Sequence, residues 1–114
     1  MKYKNDYVAV VVISIDNGYA DRRLFIDGNG CNHIDFHRCL NGCVQIDEIE
    51  VTDKVAFVFL INALIQFAKD NWCSYVFYDG CVDTSIFSYL DDYGFVEIGR
   101  DEYNVVLQYS VGKD

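Results

Sequence analysis

Cys43-Val44-Gln45-Ile46-Asp47-Glu48-Ile49-Glu50-Val51 is the stretch on which the fold turns. Its apolar side chains begin at the even positions Val44 and Ile46 and resume at the odd positions Ile49 and Val51. A strand keeps one face only through a spacing of two, so an unbroken strand here would turn its apolar side over halfway along. One extra residue near Asp47-Glu48 restores the pattern, and a β-bulge is its simplest form. Two differently buried faces also explain the spacing.

Upstream, Gly, Asn and Asp punctuate three further strands. Tyr7 to Ile15 is apolar and β-branched, Asn17-Gly18 offers the two positive-φ residues of a type I′ turn, and Tyr19 to Ile26 returns. Asp27-Gly28-Asn29-Gly30 makes the next turn, and Asn41-Gly42 separates His33 to Leu40 from the opening stretch. Downstream the period changes. From Asp53, an expected N-cap, to Asn71, the polar residues Asn62, Gln66, Lys69 and Asp70 fall on one helical stripe, while Val55 to Ile61 is apolar all round. A strand from Cys73 to Tyr78 follows, then a helix over about Thr84 to Tyr93, opened by Asp83 and closed by Gly94. Phe95 to Ile98 and Tyr103 to Val111 read as a closing hairpin. The order is ββββ-α-β-α-ββ: an α+β fold with a mixed sheet and an N-terminal antiparallel meander, in one domain spanning 1–114.

The composition agrees. With 114 residues and 52% hydrophobic content, the chain can bury one core and has no room for a second domain. It contains no proline, no run of eighteen apolar residues and no signal-peptide pattern, so the expectation is a cytoplasmic protein without membrane contact. Five cysteines, an odd number, fit thiols better than a disulfide framework. Acidic residues outnumber basic ones 18 to 9, and through Cys39 the charges balance, so the whole net charge of -9 lies beyond that point. Direct nucleic-acid binding is disfavoured, whereas a basic protein surface would be attracted.

The element order, with a bulged strand before the long helix, resembles the GNAT superfamily of N-acetyltransferases over most of the chain. Local sequence carries the same resemblance. Ala63-Leu64-Ile65-Gln66-Phe67-Ala68-Lys69-Asp70-Asn71 is similar to the end of that family's long helix, and Tyr89-Leu90-Asp91-Asp92-Tyr93-Gly94-Phe95-Val96-Glu97-Ile98-Gly99 to its fourth-helix ending. The resemblance implies an acetyl-coenzyme A site built on a Gln/Arg-x-x-Gly-x-Gly/Ala loop before the long helix, where glycines let backbone amides reach the pyrophosphate. With the ends of the long helix aligned, that pattern falls on Ala56-Phe57-Val58-Phe59-Leu60-Ile61, which has no glycine and no basic residue. The family's two acceptor-site helices are replaced by Asn17-Gly18. Its general-acid tyrosine aligns with Leu90, one residue from Tyr89, and Glu48 or Glu50 stands where some members carry a general base.

Other chemistry is sparse. Cys31, His33, Asp35, His37, Cys39 and Cys43 form the one dense group of metal-ligand types, but ligands along a strand spread by about 6.6 to 7 Å per two residues, so no metal is assigned. A polar outer strand face with satisfied histidines is expected instead. No nucleophile elbow or phosphate loop occurs. The expected function is therefore a non-catalytic, acidic protein-interaction module on a GNAT-like scaffold, without cofactor. An inhibitor of a basic nucleic-acid-handling partner, of phage or mobile-element type, is one form of it, and a minimal acetyl-CoA-dependent N-acetyltransferase is the alternative. The expected partner-binding residues are Glu48, Glu50, Asp91, Asp92, Val55, Phe57, Phe59 and Tyr89, with Val55 to Ile61 also a candidate homodimer patch.

Overall fold

The displaced apolar spacing of the opening stretch is a β-bulge. In the computed structural model, which describes residues 2–4, 9–17, 20–26, 29–81 and 84–112, strand β4 (Asn29–Cys39) pairs antiparallel with β5 (Cys43–Glu50). Phe36 lies opposite Ile46, yet Asp35 lies opposite Glu48, so Asp47 is the extra residue. The bulge keeps Val44, Ile46 and Ile49 on one face of the sheet and leaves Gln45, Glu48 and Glu50 on the other.

Around this pair the sheet grows in both directions. β1 (Lys2–Lys4), β2 (Ala9–Asn17) and β3 (Ala20–Ile26) precede β4, while β6 (Tyr75–Cys81), β7 (Val96–Arg100) and β8 (Asn104–Ser110) follow β5. The strand order is β1-β2-β3-β4-β5-β6-β8-β7, and every neighbouring pair is antiparallel except β5 with β6. The connection between those two parallel strands is helix α1 (Lys54–Asp70), as a parallel crossover requires. Helix α2 (Ser85–Tyr93) lies between β6 and β7 in the chain. No helix among the described residues is long and apolar enough to cross a membrane.

Both helices cover one face. Leu24, Ile34, Phe36, Val44, Ile46, Val76, Val105 and Leu107 from the sheet share one buried cluster with Phe57, Leu60, Ile61, Leu64 and Ala68 of α1 and Leu90 of α2. Phe36 meets Phe67 edge-on at 5.0 Å, and Phe57 lies 5.5 Å from Tyr89 and 6.4 Å from Tyr93. Each fully buried large apolar side chain contributes about 1.5–3 kcal/mol. The opposite face carries no helix among the described residues.

The helix ends explain where α1 stops. Asp53 caps the start, its Oδ1 accepting from the Ala56 N–H at 2.9 Å. At the other end the Cys73 N–H donates to the Ala68 carbonyl at 2.8 Å and the Trp72 N–H to that of Lys69 at 3.3 Å, the two bonds of a Schellman motif. The residue in its left-handed position is Trp72, at φ 60°, where glycine is usual. In α2 the analogous bond from Phe95 to Leu90 is served by Gly94, at φ 123°.

Several expectations are corrected. β1 adds a short edge strand. β4 begins at Asn29 rather than His33, because Asn29 pairs with Ile26. β6 starts at Tyr75, since the Ser74 N–H is taken by the Gly42 carbonyl, and it runs on to Cys81. The N-cap of α2 is Thr84, whose hydroxyl accepts from the Phe87 N–H. Asp83, the Gly18 turn and the Asp27-Gly28 turn lie outside the described residues.

Candidate functional site

The bulge also arranges the polar chemistry of the open face. Arg23 stands opposite Asp35 across β3 and β4, and Glu48 stands opposite Asp35 across β4 and β5, so three charged side chains form a row over three strands. Asp35 has no exposed surface. Arg23 grips it with two bonds, Nε to Oδ1 at 2.6 Å and a terminal nitrogen to Oδ2 at 2.9 Å, the bidentate geometry a guanidinium offers a carboxylate. That bond, reinforced by the charges of Asp35, Glu48 and Glu50, raises the Arg23 guanidinium further above its ordinary range against the opposing effect of burial.

His33, two residues before Asp35 on the same face, turns its Nε2 toward both carboxylates, 2.9 Å from Glu48 Oε1 and 4.0 Å from Asp35 Oδ2. Its Nδ1 is buried without a hydrogen-bond partner. The expected outer face of satisfied histidines therefore fails at this position. It holds at His37, whose Nδ1 is 2.8 Å from Asp47. Cys39 and Cys43 are direct partners across the turn, and Cys43 is pushed up to about 12 by burial first and then by the Cys39 thiol.

A second arrangement lies on the helical side. β5 follows β6 only as far as Ile46 opposite Tyr78, after which no described pair joins them. From the end of β5 at Glu50 the chain reaches α1 through Val51, Thr52 and Asp53 alone. Buried Asn32 fixes that connection, its Oδ1 accepting from the Thr52 N–H at 2.7 Å and the Thr52 hydroxyl at 3.2 Å. At the helix start Lys54 pairs with Asp92 of α2 at 3.0 Å. Between the helices is a cavity of about 130 Å³ lined by Lys54, Phe57, Val58, Tyr89, Asp92 and Tyr93.

The expected partner-binding residues thus separate into two places. Glu48 and Glu50 are exposed on the open sheet face, whereas Val55, Tyr89, Asp91 and Asp92 belong to the helical layer. Val55 is 63% exposed and Asp91 is exposed, while Tyr89 is half-buried. Phe57 is a correction: it is wholly buried and offers no contact surface. Phe59 is half-buried against the core, and Leu60 and Ile61 are inside it, so the proposed dimer patch shrinks to Val55 and part of Val58 and Phe59. The stretch is apolar all round because α1 faces both the sheet and α2. The sequence alone does not single out Arg23 or Asn32, and it shows Asp35 only as one of a group of metal-ligand types, since their roles arise from pairing across strands far apart in sequence.

No protein-family model matches the chain, and no curated protein matches it by sequence. Solved structures do match in shape. A Staphylococcus aureus acetyltransferase of the GNAT family superposes with a TM-score of 0.69 at 15% identity, over 80% of this chain and 68% of that one. The ribosomal-protein-S18-alanine N-acetyltransferase of Escherichia coli gives 0.69 at 11% identity, over 87% and 74%. A Staphylococcus epidermidis protein described as an acetyltransferase gives 0.68 at 17% identity, over 94% and 70%. The fold is GNAT-like.

Proposed function

Starting from that fold, we propose that the chain is a non-catalytic, acidic protein-interaction module that binds a partner with a basic surface. The observation that carries the reading is the start of α1. The residues on which the family's phosphate-cradling loop falls when the helix ends are aligned, Ala56 to Ile61, are helix, and Phe57, Leu60 and Ile61 among them are core. The helix N-terminus that would attract a pyrophosphate already holds the Asp53 carboxylate, and Lys54 is drawn to Asp92. A phosphate here would displace a cap and meet a like charge. The net charge of -9, all of it beyond Cys39, supports attraction to a basic protein, and inhibition of a nucleic-acid-handling protein is the form that suits such a partner.

A second reading, a minimal N-acetyltransferase, draws support from the solved neighbours and from the parting of β5 and β6 after Ile46. Thermal unfolding with acetyl-coenzyme A separates the two. A ligand that selects the folded state adds about 2.7 kcal/mol of stability at a hundredfold excess over Kd. The interaction reading expects no saturable shift at millimolar cofactor, together with a complex that weakens with salt and on charge reversal at Glu48, Glu50, Asp91 and Asp92. A saturable shift would overturn it in favour of the enzyme.

A further inference from the structure

We infer that Arg22 and Arg38 form a binding site for the phosphate group of a small phosphomonoester, in a cleft beyond the C-terminal end of α1. On the helical face of the sheet the apolar positions run to Val12 on β2, Leu24 on β3 and Phe36 on β4. Strand alternation makes Ser14, Arg22 and Arg38 the next residues on that face. Ser14 stands opposite Arg22, and Arg22 opposite Phe36, so Arg38 is the diagonal neighbour of Arg22. Diagonal neighbours lie about 7–8 Å apart, within reach of long side chains, so both guanidiniums can meet one anion.

The space is already there. A cleft of about 330 Å³ lies over these residues, closed on the helix side by Phe67 and Asn71. Phe67 packs edge-on against Phe36 at 5.0 Å and ends the core at this level. Asn71 is held by its side-chain amide, which donates to the Phe67 carbonyl at 2.9 Å and keeps a second N–H for a ligand. The negative end of the helix is covered, because the carbonyls of Phe67, Ala68 and Lys69 accept from the N–H groups of Asn71, Cys73 and Trp72. Such a volume is at the lower end of small-molecule sites, so it admits a phosphate together with an organic group resting on Val12 and Phe67.

The charges point to a dianion. Acidic residues outnumber basic ones two to one in this chain, yet among the described residues the ion pairs of arginine and lysine belong to Arg23, Lys54 and Arg100. Arg22 instead donates to neutral oxygens, Ser14 Oγ at 3.2 Å and the Asp21 carbonyl at 3.3 Å. Asp21 borders the cleft, but alternation turns its side chain to the open face with Arg23. Two neighbouring guanidiniums without a carboxylate repel each other, and a phosphomonoester, with about -1.5 to -2 charges at pH 7, offsets both. Its three oxygens also match the donors available from Arg22, Arg38 and Asn71, more than one carboxylate would use. The site lies at the far end of α1 from the family's phosphate-cradling loop, and it stands whichever of the two functional readings holds.

The test is a proton–nitrogen NMR titration of the full chain with phenyl phosphate at constant ionic strength. The expected result is saturable one-to-one binding, with shifts centred on Ser14, Arg22, Arg38 and Asn71, and weaker binding of benzoate. Arg38→Gln should weaken phenyl phosphate by about tenfold or more, the loss of one charged hydrogen-bonding partner. Lys54→Gln, at the other end of α1, should leave the affinity unchanged. Arg38 is exposed, so its variant should fold, and far-UV circular dichroism checks that it does. Absence of saturation, undiminished affinity in Arg38→Gln, or benzoate bound as tightly as phenyl phosphate overturns the assignment. Loss of binding in Lys54→Gln alone overturns it too, and places the phosphate at the helix start, where the N-acetyltransferase reading would have it.

Discussion

Replacing Arg23 with glutamine should destabilise the protein by about 3 kcal/mol, and the figure follows from the burial of its partner. Asp35 is fully enclosed while a third of the Arg23 side chain remains in water. Removing the guanidinium deletes bonds of 2.6 and 2.9 Å and takes the compensating charge away from a buried carboxylate that stands opposite Glu48. Breaking a buried pair from one side costs about 3–5 kcal/mol, and the exposure of Arg23 selects the lower end. At about 4 °C per kcal/mol for a domain of this size, the melting temperature should fall by about 12 °C. Urea unfolding followed by far-UV circular dichroism is the assay, because Trp72 is 90% exposed and its fluorescence would report little. The double variant Arg23→Met, Asp35→Leu should recover most of the loss, since exchanging both charges for apolar groups of similar size is about neutral. A single variant within about 1 kcal/mol of the parent, or a double variant as unstable as the single, refutes this reasoning.

Trp72→Gly should raise stability by about 1 kcal/mol, because a left-handed backbone costs a side-chain-bearing residue about that much and the exposed ring has little packing to lose; a lower melting temperature would contradict it. Burial pushes Tyr93 up to about 12, with a smaller contribution from Tyr109, against about 10 when unfolded. The folded state therefore retains a proton that the unfolded state releases. This contribution is complete below pH 10 and lost as pH rises to 12, about 1–2 kcal/mol after allowing for partial exposure, and Tyr93→Phe should flatten that part of the stability curve. Native alkylation with iodoacetamide followed by mass spectrometry should modify the exposed Cys31 and Cys81 well before Cys43, whose thiol stays protonated at neutral pH and is covered.

The architecture was largely legible because its decisive signals are local. Parity of apolar positions within nine residues revealed the bulge, and Asp53 and Gly94 marked helix ends through their own side chain or lack of one. β1 was not legible, since Lys2-Tyr3-Lys4 is too short to show an apolar alternation and is marked as a strand by its pairing with β2. The left-handed turn at Trp72 was not legible, because no glycine marks it. The candidate site was read only in part. Glu48 and Glu50 stood out as charges by the bulge, but the enclosure of Asp35 depends on Arg23, twelve residues away, and register between strands is a property of the whole sheet. Phe57 misled for a related reason: an apolar stretch beside a charged turn looks like a patch until a second helix is known to cover it.

The parting of β5 and β6 has a dynamic consequence. The antiparallel meander β1 to β5 and the smaller sheet β6, β8 and β7 are joined by one parallel ladder, from Cys43 opposite Tyr75 to Ile46 opposite Tyr78. The seam is clasped by α1, which packs on β2, β3 and β4 on one side and β6 on the other. Amide protons along that ladder should exchange as one cooperative unit, distinct from those of the meander.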